Sequence, residues 1–402
     1  MTRRSLLLDV GIAGALAAVG CRTSHETPKA ENPGAAGSGA LHSGTAASES
    51  AAPRVERPTD DVLDEALERL AGRGPAYSGA LANHAPMVAE ALVTLGRGDA
   101  VASWIDTYAP RLEAWPRSAG RIAKDGWRDA LGKSERATDF REFFAEELAN
   151  APFRDVLAVW VPRLGAGISG SAAHGVIRVA HVTRALSARD TAPRRRELAA
   201  GLAYWASTFH RLPDEPRESA KLSVERAIDR LEMVPANRRG SGSIVDRLAP
   251  LSQMPSFANA SDLVAFDADL AATLAEITRA FARVYCANAG DRDGRIARLH
   301  AVTGASAVRP ILPYLPPSSH RALVRYVWQL DAAVYATHAT RGASAPAIEP
   351  FSSSADLVAA AVDTRDEHAI KLTEVALRED AIARDSAFQL AAAHWVRVNL
   401  PA

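Results

Sequence analysis

The sequence predicts an all-α fold: a single multi-helix domain at residues 59–402, which follows an N-terminal signal at 1–21 and a disordered linker at 22–58. Apolar residues recur at helical spacing from residue 60 onward, often with a capping residue before the run. The sequence has no alternating run of six or more residues bounded by hairpin turns. It also lacks a repeat of fixed period, so one helical domain is expected rather than a solenoid.

The first 21 residues resemble an export signal and are set aside from the fold. Residues 2–7 contain two adjacent arginines and resemble a twin-arginine signal, and the apolar stretch 11–20 is too short to span a bilayer. Residues 18–21 resemble a bacterial lipobox in which Cys21 takes the lipid, although Ala18 stands where Leu is usual and Asp9 interrupts the approach. We expect an exported protein, periplasmic or anchored to the membrane as a lipoprotein. The alternative is an uncleaved or wrongly assigned start.

Residues 22–58 are rich in Ala, Gly, Ser, Pro and Glu and have almost no large apolar side chain. Such a stretch cannot bury enough surface to offset the entropy of ordering, so we expect a flexible tether. The formal charge of the chain is +0, and the basic cluster at 194–196 is typical of a solvated helix start. A nucleic-acid partner is therefore not expected. Cys286 is the one thiol besides Cys21, so the domain cannot form an internal disulfide.

Local start and stop signals predict where the helices lie. Asn83 can cap a helix that has Pro86 in its first turn and Gly96 as its stop. The sequence at 364–367 is a capping box for a helix that carries His368 and Lys371. Further helices are predicted from about 60 to 70, near 170–186, and at 194–209, 219–231, 260–286, 294–312, 319–338 and 385–398.

The segment 165–170, Gly-Ala-Gly-Ile-Ser-Gly, formally fits a dinucleotide-binding motif, and Asp190 follows it. Such a site needs a strand before the first glycine and another strand that ends at the acid. Pro162 interrupts the preceding run, and the pattern at 180–188 is helical. A glycine-rich turn into a helix is therefore the favoured interpretation.

Four histidines lie on predicted helices among small or apolar neighbours: His84, His174, His300 and His368. For each one alone, a hydrogen-bonded core histidine is the ordinary interpretation. Four of them on separate helices favour a metal site, because helical bundles build such sites from inward-facing side chains of several helices. Imidazole suits Fe, Zn, Cu or Ni, and the spacing does not choose among them.

Lys371 is one of only five lysines among the 47 basic residues. Arginine cannot lose its proton in a protein, whereas a buried lysine can. Only a neutral amine can attack an electrophile, take up CO2 as a carbamate or bind a metal. Lys371 stands three residues after His368, so on a helix the two side chains share a face. The alternative is a plain surface lysine.

Two further candidates follow His174 on the same predicted helix face, Arg178 after four residues and His181 after seven. Either could orient a metal ligand or hold an anionic group of a substrate. Aromatic residues on helices more often belong to a core, but some could line a pocket for an aromatic substrate. The candidates for such a pocket are Tyr77, Trp104, Tyr108, Tyr204 and Trp205.

Five blocks of sequence carry a resemblance to a known family. In chain order they are Tyr77-Ser78-Gly79-Ala80-Leu81-Ala82-Asn83-His84-Ala85-Pro86-Met87, Ala173-His174-Gly175-Val176-Ile177-Arg178, Glu197-Leu198-Ala199-Ala200-Gly201-Leu202-Ala203-Tyr204-Trp205, Leu299-His300-Ala301-Val302-Thr303-Gly304-Ala305 and Asp366-Glu367-His368-Ala369-Ile370-Lys371. Over about residues 60–400, this ordered set resembles the questin oxidase-like family. The order of the blocks is more specific than any block alone.

The resemblance implies an all-helical oxidoreductase. Fungal relatives cleave a ring carbon–carbon bond of anthraquinone-type polyketides with O2, in a Baeyer–Villiger-like and NADPH-dependent reaction. It also implies a non-haem Fe(II) centre held by histidines and a carbamylated lysine, which by position would be His84, His174, His300, His368 and Lys371. This chain departs from the fungal pattern, because Arg178 stands where a second histidine is expected, and because it carries an export signal. The substrate is therefore left open.

Two hypotheses from different classes follow. In the first, the histidines and a Lys371 carbamate hold Fe(II), a small aromatic substrate and O2 bind nearby, and Arg178 and His181 orient the substrate or a ligand. NADPH is then a candidate electron donor. In the second, the protein is a non-catalytic helical lipoprotein that binds or carries a small ligand. A flavin or NADPH enzyme without a metal would need a nucleotide site, and the sequence shows none.

Overall fold

Helices make up nearly all of the regular structure in the computed structural model, which describes residues 59–79, 81–215, 221–266 and 269–401. The one sheet found within these ranges is a hairpin of two-residue strands, β1 (Ala76–Tyr77) and β2 (Leu81–Ala82), paired antiparallel. The all-α prediction is therefore confirmed. The predicted signal (1–21), its Cys21 and the predicted linker (22–58) lie outside the described residues.

The α-helices of the described ranges vary from one turn to six turns in length. In chain order they are α1 (Thr59–Leu70), α2 (Ala85–Thr94), α3 (Val101–Tyr108), α4 (Ala137–Asn150), α5 (Phe153–Leu164), α6 (His174–Ala188), α7 (Ala192–Ser207), α8 (Val224–Arg230), α9 (Pro255–Ala258), α10 (Leu270–Ala287), α11 (Arg295–Ala307), α12 (Pro317–His338), α13 (Ser354–Asp363), α14 (Glu367–Ala383) and α15 (Ala387–Asn399). None of these helices combines the length and the apolar character needed to cross a membrane.

The structure moves the start of the helix predicted at 260–286 and adds five helices that the sequence did not predict. α10 begins at Leu270 rather than at 260, because the Asp269 side chain caps it by accepting from the backbone N–H of Ala272 at 2.9 Å. Residues 260–262 instead form a separate 3-10 turn. The helices α3, α4, α5, α9 and α13 fall in stretches for which no helix was predicted.

The glycine-rich segment 165–170 is a turn into a helix, as predicted. A 3-10 turn, Gly165–Gly167, and a second turn over 170–173, which is left-handed at 171–173, connect α5 to α6, and the element before the first glycine is a helix rather than a strand. A Cβ added to Gly170 would lie 1.9 Å from the Thr208 carbonyl oxygen at the end of α7. The glycines therefore serve close packing, and this segment does not have the strand that a dinucleotide site requires.

The buried apolar side chains form two clusters, a large one and a smaller one built mainly from α1, α2 and α3. α2 packs against both α6 and α14, and α11 also packs against α6 and α14. α6 packs closely against α7 at Gly175, where an added Cβ atom would lie only 2.7 Å from the Cα of Trp205. The four helices α2, α6, α11 and α14 thus surround one small polar volume inside the domain.

Candidate metal centre

Four helices bring the sequence-predicted ligands together in that polar volume. His84 immediately precedes α2, His174 opens α6, His300 lies in the middle of α11, and His368 and Lys371 lie near the start of α14. All five residues are buried, and Lys371 is only 1 % exposed. Centroids of neighbouring imidazole rings lie between 4.5 and 5.3 Å apart. Residues separated by almost 290 positions in the chain therefore form one cluster.

A strained turn places His174. Ser171, Ala172 and Ala173 have φ angles of 46°, 53° and 68°, which are left-handed. Each non-glycine residue in this conformation costs roughly 1–2 kcal/mol, and such strain is typical of functional sites. The turn directs the Ser171 carbonyl oxygen to within 2.5 Å of His174 Nδ1. A carbonyl can only accept, so Nδ1 donates, and the lone pair of the neutral ring lies on Nε2.

His300 has the same tautomer for a different reason. Its Nδ1 lies 2.7 Å from the carbonyl oxygen of Ile296, one helical turn earlier in α11, and donates to it. The Nε2 of His300 therefore also carries a lone pair, and it lies 3.1 Å from Nε2 of His174. Two unprotonated nitrogens at this distance repel each other, unless a cation lies between them or near both.

His84 directs a third ring nitrogen to the same place. Its Nε2 lies 2.7 Å from Nε2 of His174, and its Nδ1 lies 3.3 Å from Oε1 of Glu367. When Nδ1 donates to Glu367, Nε2 of His84 bears a lone pair as well. Tyr108 orients this residue, because its hydroxyl accepts from the backbone N–H of His84 at 3.2 Å. The hydroxyl of Tyr77 donates to Glu367 at 3.4 Å.

His368 completes the cluster from the first turn of α14. Asp366 caps this helix, and its carboxylate accepts from the backbone N–H groups of His368 and Ala369 at 3.0 and 2.7 Å. The cap is therefore Asp366, whereas the predicted capping box placed it at Thr364. The buried Nε2 of His368 has no hydrogen-bond partner among the described residues. A buried, unpartnered ring nitrogen next to three others calls for a ligand.

The electrostatics keep these imidazoles neutral. The pKa values of His84, His174 and His368 lie well below the usual range, mainly because the side chains are buried. The charges of Lys371 and of the other histidines lower these pKa values further. Burial, with a further contribution from Lys371, lowers the pKa of His300 to about 3. Neutral imidazole is the form that binds metals.

The pKa of Lys371 is shifted in the direction that favours a neutral amine. Burial lowers its pKa to about 8, against the opposing effect of the carboxylates of Glu367 and Asp366. The neutral amine is therefore accessible near neutral pH, unlike that of an exposed lysine. Lys371 is thus not the plain surface lysine of the alternative interpretation.

The residues present fit a transition-metal ion. His84, His174 and His368 each offer a ring nitrogen, and these atoms lie within 4.8 Å of one another. His300 joins them through its contact with His174. Several neutral imidazoles, one unpartnered nitrogen and two facing lone pairs are a donor set for Fe, Zn, Cu or Ni rather than for Ca²⁺ or Mg²⁺.

Arg178 and His181 lie on α6 but in a different set of contacts. The guanidinium of Arg178 makes two hydrogen bonds to the Glu197 carboxylate, at 2.5 and 2.8 Å, and both side chains are nearly buried. His181 Nδ1 lies 2.5 Å from Oε2 of Glu90. Both residues line one small cleft, and His181 also lines a second small cleft together with Lys371.

Sequence reasoning missed Glu367 and Glu90 as neighbours of the predicted histidines. Glu367 was assigned only to a capping box, and no local spacing signal connects it to His84, 283 residues away. Tyr77 and Tyr108, predicted as candidates for a substrate pocket, instead contact Glu367 and His84. Burial raises the pKa of Tyr77 to about 12, so its hydroxyl stays a donor.

Comparison with known proteins gives one family. A family model described as questin oxidase-like matches residues 81–376, about three quarters of the chain, and this span contains all four clustered histidines and Lys371. No curated protein matches the chain.

Proposed function

Because the chain belongs to the questin oxidase-like family, which implies an oxidoreductase, we propose that it is a non-haem-iron oxygenase that cleaves a carbon–carbon bond of an aromatic or quinone-type substrate in a Baeyer–Villiger-like reaction. One observation carries the metal part of this proposal. The unprotonated Nε2 atoms of His174 and His300 face each other at 3.1 Å, with Nε2 of His84 2.7 Å from the former. A bound cation would remove this repulsion.

His84, His174, His300 and His368 would hold the metal, with Lys371 as a fifth ligand. Bound Fe(II) would supply the one-electron chemistry through which O2 can react with a closed-shell aromatic molecule. The protein residues hold the imidazoles neutral and aligned, by donation from His174 to Ser171 and from His300 to Ile296. Such hydrogen bonds from the distal ring nitrogen fix the tautomer and raise the basicity of the ligand.

A Lys371 carbamate would solve an electrostatic problem of this site. A protonated lysine beside a metal ion is repulsive, whereas its CO2 adduct is an anionic oxygen ligand. The amine nitrogen forms a bond to the carbon of CO2 and loses one proton to water, so the charge of the side chain changes from neutral to negative. The N-terminal ends of α2, α6 and α14 meet here, and their partial positive charge favours an anion.

Arg178 and His181 are proposed to bind the substrate rather than the metal. His181 lines a small cleft together with Lys371, and Arg178 lines the neighbouring cleft with one guanidinium nitrogen that has no partner among the described residues. A guanidinium and an imidazole can hold an oxyanion of a phenolic substrate. NADPH is the proposed electron donor, by the resemblance alone.

We also propose that the protein is exported and held at the membrane through a lipid on Cys21. This rests on residues 1–21, which precede the part of the chain that the family model matches. The twin-arginine route carries folded proteins, so iron would be loaded before export.

The test uses protein reconstituted anaerobically with Fe(II). We expect O2 uptake in the presence of hydroxylated anthraquinones, and a ¹³C carbamate signal after addition of ¹³C-bicarbonate. Lys371→Arg should lose the carbamate signal and the iron but keep the helical circular-dichroism spectrum. An iron content equal to that of the unaltered protein in Lys371→Arg would refute the carbamate. Binding of a quinone without any metal or O2 uptake would instead favour the non-catalytic carrier.

A further inference from the structure

We propose that the left-handed turn at residues 171–173 fixes the position of the His174 imidazole, and that a hydrogen bond from Tyr204 holds this turn in place. The inference rests on the proposed metal centre, because it assigns the turn a role toward a ligand of that site. Ser171 and Tyr204 are then positioning residues, since they act on the metal through His174.

The turn is held in a conformation that its own sequence disfavours. Ser171, Ala172 and Ala173 are three successive non-glycine residues with positive φ angles. Alanine favours the right-handed helix more than any other residue, and α6 begins immediately after the turn. Left to local preference, this segment would extend α6 by one right-handed turn. Contacts from elsewhere in the domain must therefore hold it.

Tyr204 supplies the first of these contacts. Its hydroxyl lies 2.6 Å from Oγ of Ser171, and the side chain is buried on α7. The backbone carbonyl of the same Ser171 accepts from Nδ1 of His174 at 2.5 Å. Ser171 thus connects a fixed hydroxyl on α7 directly to the imidazole. Loss of the Tyr204 hydroxyl would remove the side-chain hydrogen bond that Ser171 makes to α7.

α11 supplies the second contact and links the turn to another candidate ligand. A Cβ on Gly304 would lie 2.9 Å from the Cβ of Ala173, so the turn lies directly against α11. The same helix carries His300, one turn earlier, whose Nε2 faces Nε2 of His174. The position of the turn therefore sets the distance between two ring nitrogens that belong to different helices.

The experiment compares Tyr204→Phe with Tyr285→Phe, which removes a similarly buried hydroxyl whose partner is His394, outside the cluster. Co(II) is the probe, since its visible spectrum reports ligand geometry, and its affinity is measured by competition with a chelator. We expect Tyr204→Phe to bind Co(II) tenfold to a hundredfold more weakly and with an altered spectrum. Tyr285→Phe should match the unaltered protein in both. Equal affinity and an unchanged spectrum in Tyr204→Phe would overturn the proposal.

Two further variants keep the test decisive if Tyr204→Phe does not fold. Ser171→Ala removes the same hydrogen bond from the other side but keeps the carbonyl, and it should weaken Co(II) binding in the same way. Adding Ala172→Gly should restore part of the affinity, because glycine adopts the left-handed conformation without strain. A merely structural role for Tyr204 predicts a lower melting temperature with unchanged Co(II) affinity in the folded fraction.

The failure of this inference differs from the failure of the proposed function. If the unaltered protein binds no Co(II), Fe(II) or Zn(II), the metal centre is refuted, and ¹⁵N NMR of the histidine side chains in metal-free protein then decides the role of the turn. We expect His174 to be protonated at Nδ1 only, and to exchange between tautomers in Tyr204→Phe. The same single tautomer of His174 in the unaltered protein and in Tyr204→Phe would overturn the proposed role of Tyr204.

Discussion

Nε2 of His300 lies 3.1 Å from Nε2 of His174, and neither nitrogen carries a proton, because both rings donate from Nδ1 to backbone carbonyls. In metal-free protein this contact is unfavourable, and a metal bound by both nitrogens would remove the repulsion. The arrangement therefore costs stability unless it serves binding, as is typical of functional sites.

The first prediction follows from this contact. His300→Leu should abolish metal binding and leave the metal-free protein as stable as before or more stable, because one of two facing lone pairs is removed. Added metal should then no longer raise the melting temperature, whereas for the unaltered protein it stabilises by about 2.7 kcal/mol at a hundred times Kd. Differential scanning fluorimetry with and without Co(II) measures both effects.

The matched control for this experiment is His338→Leu, which replaces another buried histidine on α12, outside the cluster. It should keep the response to metal. A His300→Leu protein that metal still stabilises by the same amount would show that His300 is not a ligand.

The second prediction concerns the contact between α11 and the left-handed turn. Gly304→Ala places a methyl group 2.9 Å from the Cβ of Ala173, closer than packed carbons tolerate. We expect a loss of about 1–3 kcal/mol in the free energy of unfolding, with weaker metal binding. Gly290→Ala, where a Cβ meets nothing within 4 Å, is the control and should change neither. Urea titrations of both variants give the comparison; equal stabilities would contradict the close contact.

The third prediction separates two roles for Arg178. As an ion-pair partner, it neutralises the nearly buried Glu197. Arg178→Met should then lower the free energy of unfolding by about 3–5 kcal/mol, because it leaves a buried carboxylate unpaired. The double variant Arg178→Met with Glu197→Gln should recover most of that loss. If the double variant is stable and keeps full oxygenase activity, the predicted catalytic role of Arg178 is wrong; if it is stable and inactive, that role is supported.

The fourth prediction uses a buried acid outside the cluster. Burial raises the pKa of Asp331 well above its usual range, and neither carboxyl oxygen has a partner among the described residues. Above pH 3.8, the folded state therefore binds a proton that the unfolded state has lost, so stability falls as the pH rises toward the folded pKa. Asp331→Asn does not titrate, and its gain in stability over the unaltered protein should grow by up to about 1.4 kcal/mol per pH unit.

Urea unfolding at pH 5, 6, 7 and 8 measures this slope. The control is Asp155→Asn, which changes an exposed aspartate on α5. The pH slope measured for Asp155→Asn is the reference for replacing an exposed carboxyl group, and the slope for Asp331→Asn should exceed it. A gain for Asp331→Asn that is independent of pH would contradict the protonated state.

Much of this molecule could be predicted from local sequence, and the parts that could not depend on contacts distant in the chain. Asn83, Pro86 and Gly96 signal α2, and the structure has α2 at that place. His84, His174, His300, His368 and Lys371 were selected by residue type and by the resemblance, and the structure brings them together. Their roles as ligands stay predictions until metal binding is measured.

The turn before His174 shows why some features could not be predicted from the local sequence. The sequence Ser-Ala-Ala at 171–173 is typical of the start of a right-handed helix. None of these three residues is a glycine, so the sequence does not predict the positive φ angles that the turn adopts. The conformation depends on Tyr204 and Gly304, which lie 33 residues and more than a hundred residues further along the chain. The pairing of Glu90 with His181 is similarly remote, because the two residues lie 91 positions apart in the chain.

Elemental analysis of the purified full-length protein is the most direct test of the proposed metal centre. We expect about one iron per chain, which is lost in His84→Ala and kept in His320→Ala. The imidazole of His320 donates to the Leu315 carbonyl oxygen, away from the cluster. A protein without stoichiometric metal, or a His84→Ala variant with the same metal content as the unaltered chain, would contradict it.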